Sequence, residues 1–440
     1  MLKKELTVGI YTLGCKVNQY ESEAIAEALE GHGFTILNHN DKCDIYIINT
    51  CTVTAESDRK ARQFIRRAAA KNQNAFIAVT GCLSETRPED VAKISGVDYI
   101  CGNSKKLSVV DAILRFSESG VKNDVPEIFE SQLDSAGFEE MNITHFDRTR
   151  AYVKIEDGCE NRCTYCIIPS ARGKVRSKLP EDVIAEVEAL TRGGCREVVL
   201  TGIETASYGR DLKTTDLATL LCRVDKISGI ERVRLGSLDP SLMTDRFVSK
   251  IADLKSLTPH FHLSLQSGSD RILALMKRKY NSRMAFEGIE RIRAAMPSAM
   301  FTTDIIVGFP GETEEDFEAT VDFVKRARFL SAHIFTYSKR AGTPAAVMKE
   351  QIPEEVKKER SAKLIALQNE IRNEILSNEV GNEYNVLFET HSGGFVTGHT
   401  PSFIEVKVNS DKPLSGTVRK VRILSADDGV CIGEIIDFTD

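Results

Sequence analysis

The sequence predicts an α/β protein in three parts: an N-terminal open parallel α/β sheet, a central partial (βα)6 barrel and a small C-terminal antiparallel β-barrel. Three observations carry this reading. Strand-like apolar runs alternate with helical patterns over residues 1–120. A second alternating series, with six strand-like segments, runs from Ala151 to about Leu376. After Gly381 the pattern changes to short alternating strands split by glycine turns. The implied division is 1–120, a linker at 121–147, a core at 148–376 and a barrel at 377–440.

Within the first part, strands are expected at 6–13, 44–49 and 75–80, and helices at 21–31, 57–71 and 88–94. Alternation of this kind implies parallel strands with helices on both faces. Residues 118–147 lack sustained periodicity, so they read as a linker. The strands of the second series are AYVKIEDG, EVVLTG, RVRLGSLD, HFHLSLQ, MFTTDIIVGF and AHIFTYS, with helical patterns between them such as 180–192 and 313–328. Six units are too few for a closed eight-unit barrel, and loops at the strands' C-terminal ends should line the site. A charged helical stretch at 353–379 leads into EYNVLFET, SGGFVTGHT, FIEVKVNS, SGTVRKVRIL and VCIGEIID, which read as a small barrel.

Composition narrows the function classes. The N-terminus, MLKKELTVGIYTLGC, has no long apolar stretch, so no signal peptide is expected. No apolar run approaches the roughly 20 residues that span a bilayer, so no membrane role is expected. A soluble, reducing, cytoplasmic setting follows, in which cysteine patterns read as metal or catalytic sites before disulfides. Net charge is −6, and residues 374–440 hold eleven acidic and five basic residues. There is no global electrostatic case for nucleic acid. Local runs do exist at Arg59, Lys60, Arg62, Arg66, Arg67 and Lys71, and at Lys277, Arg278 and Lys279. Taken alone, these read as solvated helix faces.

Cysteine spacing carries the chemistry. In DGCENRCTYCIIP, Cys159, Cys163 and Cys166 form a C-x3-C-x2-C triad that follows a strand. Three thiolates this close suit three irons of a 4Fe–4S cube and leave the fourth iron open. The alternative is a zinc knuckle, which needs a fourth ligand. His145 precedes the strand and Cys195 follows a helix, so neither is at hand. Cys15, Cys51 and Cys82 are far apart in sequence, yet each ends a predicted strand, in TVGIYTLGC, DIYIINTC and AFIAVTGC. Parallel strand ends share one sheet edge, where such sheets bind ligands. Gly14 and Gly81 precede two of these cysteines and allow a tight turn there. The three thiols therefore either converge on one metal site or are buried, inert core residues. Cys43, Cys101, Cys195, Cys222 and Cys431 have no partner at ligand spacing and read as structural.

The strings TLGCKVNQYES, NTCTV and VTGCL resemble the N-terminal domain of the radical S-adenosylmethionine (SAM) methylthiotransferases. DGCENRCTYCIIPSARGKVRS, RLGSLDP, HLSLQSGSDRILALMKRKY and TTDIIVGFPGET resemble that family's radical SAM core, and 381–440 resembles its RNA-binding TRAM barrel. The resemblance implies two 4Fe–4S clusters. Cys159, Cys163 and Cys166 would hold the SAM-binding one, and Cys15, Cys51 and Cys82 an auxiliary one. Reductive cleavage of SAM would yield a 5′-deoxyadenosyl radical, the second cluster would bring sulfur, and a second SAM would supply the methyl group. Tyr165 would pack near the adenine or serve as a core aromatic. Gly202 and Glu204 fall where the family contacts the SAM amino group, and Ser237, Gln266 and Gly308 end strands that border the pocket. No general acid or base is assigned.

The implied partners are a tRNA substrate and an external electron donor; the sequence alone does not show the oligomeric state. LGCKVNQYES and LTGIETASYG look most like the branch that modifies threonylcarbamoyladenosine next to the anticodon. The isopentenyladenosine branch opens with a GCQMN-like string and the ribosomal-protein branch with a GCPKN-like one. Both remain alternatives, as does a non-catalytic iron–sulfur protein that binds RNA.

Overall fold

The structure is a computed structural model that describes residues 6–437 except 134 and 147; the terminal residues of the expected first and last parts, and two of the expected linker, lie outside it. The N-terminal sheet has six parallel strands in the order Thr35–Leu37, Thr7–Thr12, Ile45–Thr50, Phe76–Gly81, Tyr99–Ile100, Glu127–Ile128. Its central runs, IYIINT and FIAVTG, are buried along their whole length. That fits a parallel sheet covered on both faces, where strands read as continuous apolar runs. One face packs Ile48 and Val79 against Phe64 and Ile65, and the other packs Ile47 and Ala78 against Ile25 and Ile113.

The helix Ala55–Lys71 starts where Thr54 accepts the Ser57 N–H at 3.1 Å, with Glu56 and Asp58 in its first turn and Lys71 in its last. Cap and charges both match the helix dipole. The helix Lys16–Gly31 begins five residues before the expected start at 21, directly after Cys15. Periodicity missed that first turn because Asn18 and Glu21 are buried there by tertiary contacts and not by apolarity. The expected linker also departs from its reading: Glu127–Ile128 pairs as the sheet's edge strand, and Met141 and Ile143 are buried in the core.

The central strands Arg150–Lys154, Glu197–Thr201, Arg232–Leu235, His260–Gln266, Met300–Val307 and Ser331–Thr336 run parallel in that order. They form two three-stranded sheets joined by the bridges Val233–Leu257 and Leu238–Leu263. The first and last strands do not pair, so the barrel is open on one side. Helix Lys16–Gly31 packs against the first strand and helix Glu354–Ser377 against the last.

The C-terminal barrel closes in the order Glu383–Ser392, Phe395–His399, Glu405–Asn409, Val430–Ile435, Val418–Asp427. Four pairings are antiparallel, and Glu405–Asn409 pairs in parallel with Val430–Ile435. This barrel sits against the first residues of the core strands. Arg232 donates to the His399 carbonyl at 3.1 Å, and Arg150 pairs with Glu389 at 2.7 Å. No helix among the described residues is long and apolar enough to cross a membrane.

Candidate active site

Two neighbouring cavities occupy the lumen of the open barrel. The first, of about 750 Å³, is lined by Cys159, Cys163 and Cys166 together with Tyr165, Glu204, Gln266 and Arg278. The second, of about 740 Å³, is lined by Cys15, Lys16, Gly202 and Ser237 and runs down to His399 and Phe403 of the C-terminal barrel. Asp304 and Phe335 line both. Of the six sequence-predicted pocket residues, Tyr165, Glu204 and Gln266 face the first cavity and Gly202 and Ser237 the second. Gly308 lines neither. Its N–H donates to Glu312 Oε1 at 2.8 Å, and the Lys357 side chain covers it. A strand-end position alone did not reveal that covering side chain.

The first triad sits on the loop after Glu156–Asp157. The loop is pinned by Cys159 N–H to Gly173 O at 3.0 Å and Thr164 N–H to Met276 O at 3.1 Å. The Ile168 N–H lies 3.4 Å from Cys166 Sγ, and Arg278 Nη1 lies 3.3 Å from Cys163 Sγ. Burial pushes the Cys159 and Cys166 thiols up to about 12. Without a metal they are therefore protonated, whereas coordination removes the proton outright. N–H and guanidinium donors aimed at the sulfurs favour the thiolate form that a cluster needs. The residues present fit such a group.

Beside the triad, Asn161 Nδ2 donates to Glu204 Oε2 at 2.7 Å, and the Glu204 N–H donates to Glu156 Oε2 at 2.8 Å. Burial, and then the nearby Asp239 carboxylate, push Glu204 up to about 7. Glu156 Oε1 and Asn161 Oδ1 are buried without a partner. Gln266 holds φ at +70°, uncommon for a long side chain and typical of strain kept at functional sites.

The second set comes together at one sheet edge, after three adjacent strands. The three thiols are close enough to perturb one another: Cys82 and Cys15 act on Cys51, which burial first of all pushes up to about 11. Gly14, at φ +102°, brings the chain so near that a Cβ there would lie 2.8 Å from Cys51 Cβ. Gly81, at φ +98°, would place a Cβ 2.4 Å from the Thr50 carbonyl. Asn18 ties the edge together by donating to Leu13 O at 2.7 Å and Thr50 O at 3.0 Å. Asn103 Nδ2 reaches Cys82 Sγ at 3.6 Å and Ala171 O at 2.7 Å. Ser84 Oγ, Asn103 Oδ1 and Ser104 Oγ are buried close by without partners. Cys15 is exposed to the second cavity while burial in the protein still raises its thiol. Here too thiols and unmet polar groups fit a bound cluster. The cysteines read as structural lie elsewhere: Cys101 donates to Thr80 Oγ1 at 3.2 Å and Cys195 to Glu197 O at 3.2 Å.

Between the triads lies a buried ionic network. Arg172, fully buried, contacts Glu21 at 2.6 Å and Asp157 at 3.1 Å. Lys154 contacts Glu21 and Asp157, both at 2.7 Å, and Lys106 also pairs with Glu21. Burial would raise both carboxyls, but Arg172 with its neighbouring lysines holds Asp157 at about 2 and Glu21 well below the usual range. Arg340, after the last strand, reaches Asp58 at 3.0 Å and Thr52 Oγ1 at 2.6 Å beside Cys51. These contacts fix the N-terminal sheet over the barrel's open side. On the lumen wall, Asp304 sits between His333 Nδ1 at 3.1 Å and His262 Nε2 at 3.3 Å.

Known proteins match along the chain. A radical SAM superfamily model matches residues 153–324, and a model described as uncharacterized protein family UPF0004 matches residues 7–102. The chain is 39% identical over 428 residues to the threonylcarbamoyladenosine tRNA methylthiotransferase MtaB of Bacillus subtilis, spanning 96% of this chain and 94% of that one. It is also 39% identical over 426 residues to the tRNA-2-methylthio-N6-dimethylallyladenosine synthase of Carboxydothermus hydrogenoformans, spanning 94% and 96%. This chain belongs to the radical SAM methylthiotransferases.

A solved radical SAM methyltransferase, TsrM from Kitasatospora setae, superposes with a TM-score of 0.57 at 15% identity, covering 78% of this chain and 77% of that one, which shows the shared fold. Membership in the radical SAM methylthiotransferases makes the chain a transferase and implies a 4Fe–4S cluster and SAM. Sequence reasoning missed Arg278, read as part of a solvated KRK run. Its side chain is buried, bonded to Asp239 at 2.8 Å, and lines the first cavity. It missed Arg172 and Glu21 for the same reason: charge in a sequence reads as surface.

Proposed function

We propose that this protein is a tRNA methylthiotransferase that converts N6-threonylcarbamoyladenosine, next to the anticodon, to its 2-methylthio form. One observation carries the reading: the cavity of the Cys159 triad and the cavity reached by Cys15 share the wall at Asp304 and Phe335. A base seated at that wall would lie between the Cys159 triad and Cys15. Cys159, Cys163 and Cys166 would hold the SAM-binding 4Fe–4S cluster, and Cys15, Cys51 and Cys82 an auxiliary one. When bound, the first cluster with SAM supplies reductive cleavage of the sulfonium, with electrons from an external donor.

The chain's own residues bind, orient and exclude water. Tyr165, Glu204 and Gln266 would flank SAM, with the Glu204 carboxyl, oriented by Asn161, offered to its ammonium group. Gly202 and Ser237 would face the substrate side. The N-terminal sheet covers the open side of the barrel, and the C-terminal barrel covers its base. Solvent reaches the lumen only past these covers, and a substrate seated there would displace it, which strengthens the electrostatic contacts inside.

The target carbon lies on a base edge, so the base must enter unstacked, as from a single-stranded loop. Thr54 and Glu56, at the start of helix Ala55–Lys71, line the first cavity. That helix exposes Arg66 and Arg67, together with Arg59 and Lys60, which pair with Glu56 at 2.6 and 3.9 Å; Arg66 and Arg67 give it a face suited to RNA phosphates. In the C-terminal barrel, Lys420 and Arg422 pair with Glu383 at 2.6 and 2.9 Å. Phosphate contact by the TRAM-like barrel is therefore partly offset, and the helix is the stronger candidate surface. The setting for this reaction is the cytoplasm.

Relatives at 39% identity carry names for two different nucleosides. The strings at 15–21 and 201–209 support the threonylcarbamoyl branch. So does the second cavity, where Lys16 adds a cation beside Arg150 and Arg234, which already pair with Glu389 and Glu197; this suits an anionic N6 substituent better than an apolar isopentenyl one. Nucleoside mass spectrometry of tRNA from a strain lacking the protein tests the proposal. Loss of the 2-methylthio threonylcarbamoyl nucleoside, with its precursor accumulating, supports it. An unchanged content, or a change confined to isopentenyladenosine derivatives, overturns it.

A further inference from the structure

The second cavity contains a cation that the fold itself does not use. Lys16 follows Cys15 directly and lines the cavity. Among the described residues no hydrogen bond or ion pair engages its ammonium group. The other cations on this wall are held. Arg150 pairs with Glu389 at 2.7 Å, Arg234 with Glu197 at 2.8 Å, and Arg372 faces Glu405 at 3.8 Å. The acidic groups facing the cavity are Asp304, held by His262 and His333, and Glu405, facing Arg372. Lys16 is exposed to this cavity, so its ammonium group, beside two guanidinium groups that are already paired, is free to meet an incoming anion.

We infer that Lys16 forms the carboxylate-binding subsite for the N6 substituent of the substrate nucleoside. The inference rests on the substrate reading above and names the residue that enforces it. In adenine, C2 and the carbon bearing N6 flank N1 in one ring. A base whose C2 faces the Cys15 side therefore carries its N6 substituent along the same edge. The threonyl carboxylate ends that substituent, and Lys16 stands next to Cys15 with no anion of its own. A carboxylate on Lys16 completes a charge-assisted hydrogen bond that an isopentenyl group leaves unmade. Lys16 thus acts as a specificity-determining residue through substrate contact. A carboxylate also occurs in SAM, so the test separates the two sources.

The assay measures binding of anticodon stem-loop RNAs to cluster-reconstituted full-length protein, without SAM. Three RNAs are compared: one with N6-threonylcarbamoyladenosine, one with its methyl ester and one with isopentenyladenosine. Lys16→Gln should weaken the acid RNA about tenfold or more, the worth of one charge-assisted hydrogen bond. It should leave the other two unchanged, and Lys16→Arg should keep the preference. Wild-type protein should lose the same factor on the ester, an arm that needs no variant. Iron content and SAM affinity, measured on the same samples, should match wild type. The inference is overturned if Lys16→Gln keeps the full preference, if wild type binds acid and ester equally, or if SAM affinity falls in place of RNA affinity. A wild type that prefers the isopentenyl RNA overturns the substrate reading as well, so the two failures are distinguishable.

Discussion

Replacing Glu21 by Gln should be among the most destabilising single isosteric changes in the N-terminal half. Its carboxylate, about 1% exposed, meets Lys154 at 2.7 Å, Arg172 at 2.6 Å and Lys106. After the change Lys154 and Arg172 retain Asp157. Lys106 retains only the Asn49 amide oxygen, at 3.1 Å. Removing one partner of a buried ion pair costs about 3–5 kcal/mol, because the remaining charge stays buried. Over a cooperative unit of roughly 150–250 residues that is a fall in Tm of roughly 6–20 °C. The control is Glu188→Gln, whose exposed partner Arg192 is 3.9 Å away and whose loss should stay within about 0.5 kcal/mol. Thermal melts followed by near-UV circular dichroism at pH 7 read both. The Glu21 carboxyl is depressed in the folded state. Its contribution is therefore complete above the unfolded value of about 4.3 and is lost as pH falls through the lower folded value. The gap between wild type and Glu21→Gln should accordingly narrow below about pH 4. A Glu21→Gln protein that melts within about a degree of wild type at pH 7 would refute the reasoning, since the network would then carry none of the docking.

Two further outcomes follow from the site. Anaerobically reconstituted protein should hold about eight irons, and changing either Cys159, Cys163 and Cys166 or Cys15, Cys51 and Cys82 to Ala should leave about half; full iron in the second triple variant would remove the auxiliary site. Arg66→Glu with Arg67→Glu should weaken tRNA binding and flatten its salt dependence by about two phosphate contacts, read by binding isotherms at several salt concentrations, whereas Lys420→Glu should do less because Glu383 already pairs that lysine.

Much of the architecture was legible because burial leaves a plain mark on apolar residues. IYIINT and FIAVTG read as strands because parallel strands covered on both faces are continuous apolar runs. The register of Cys15, Cys51 and Cys82 followed from that, since parallel strands end on one edge. What stayed hidden was mostly polar. Glu21, Arg172 and Arg278 are buried by partners more than 100 residues away in sequence, or by a sulfur, and no local pattern marks such pairs. Glu127–Ile128 was hidden because a two-residue edge strand is too short to show a period. The parallel pairing of Glu405–Asn409 with Val430–Ile435 was hidden because period-two alternation does not encode strand direction. Gly308 shows the converse: its position at a strand end was read correctly, but the Lys357 chain covering it comes from a distant helix.

The central claim is that a cysteine triad lining the lumen, and a second set that reaches it through Cys15, support insertion of a methylthio group into a base bearing an anionic N6 substituent. The most direct measurement incubates reconstituted protein with SAM, a reductant and a sulfur source, and with tRNA carrying threonylcarbamoyladenosine, isopentenyladenosine or neither. Mass spectrometry of the digested nucleosides reads the product. The account predicts a 2-methylthio product from the threonylcarbamoyl tRNA alone. Equal methylthiolation of the isopentenyl tRNA, or no tRNA product while a ribosomal protein is modified, would contradict it.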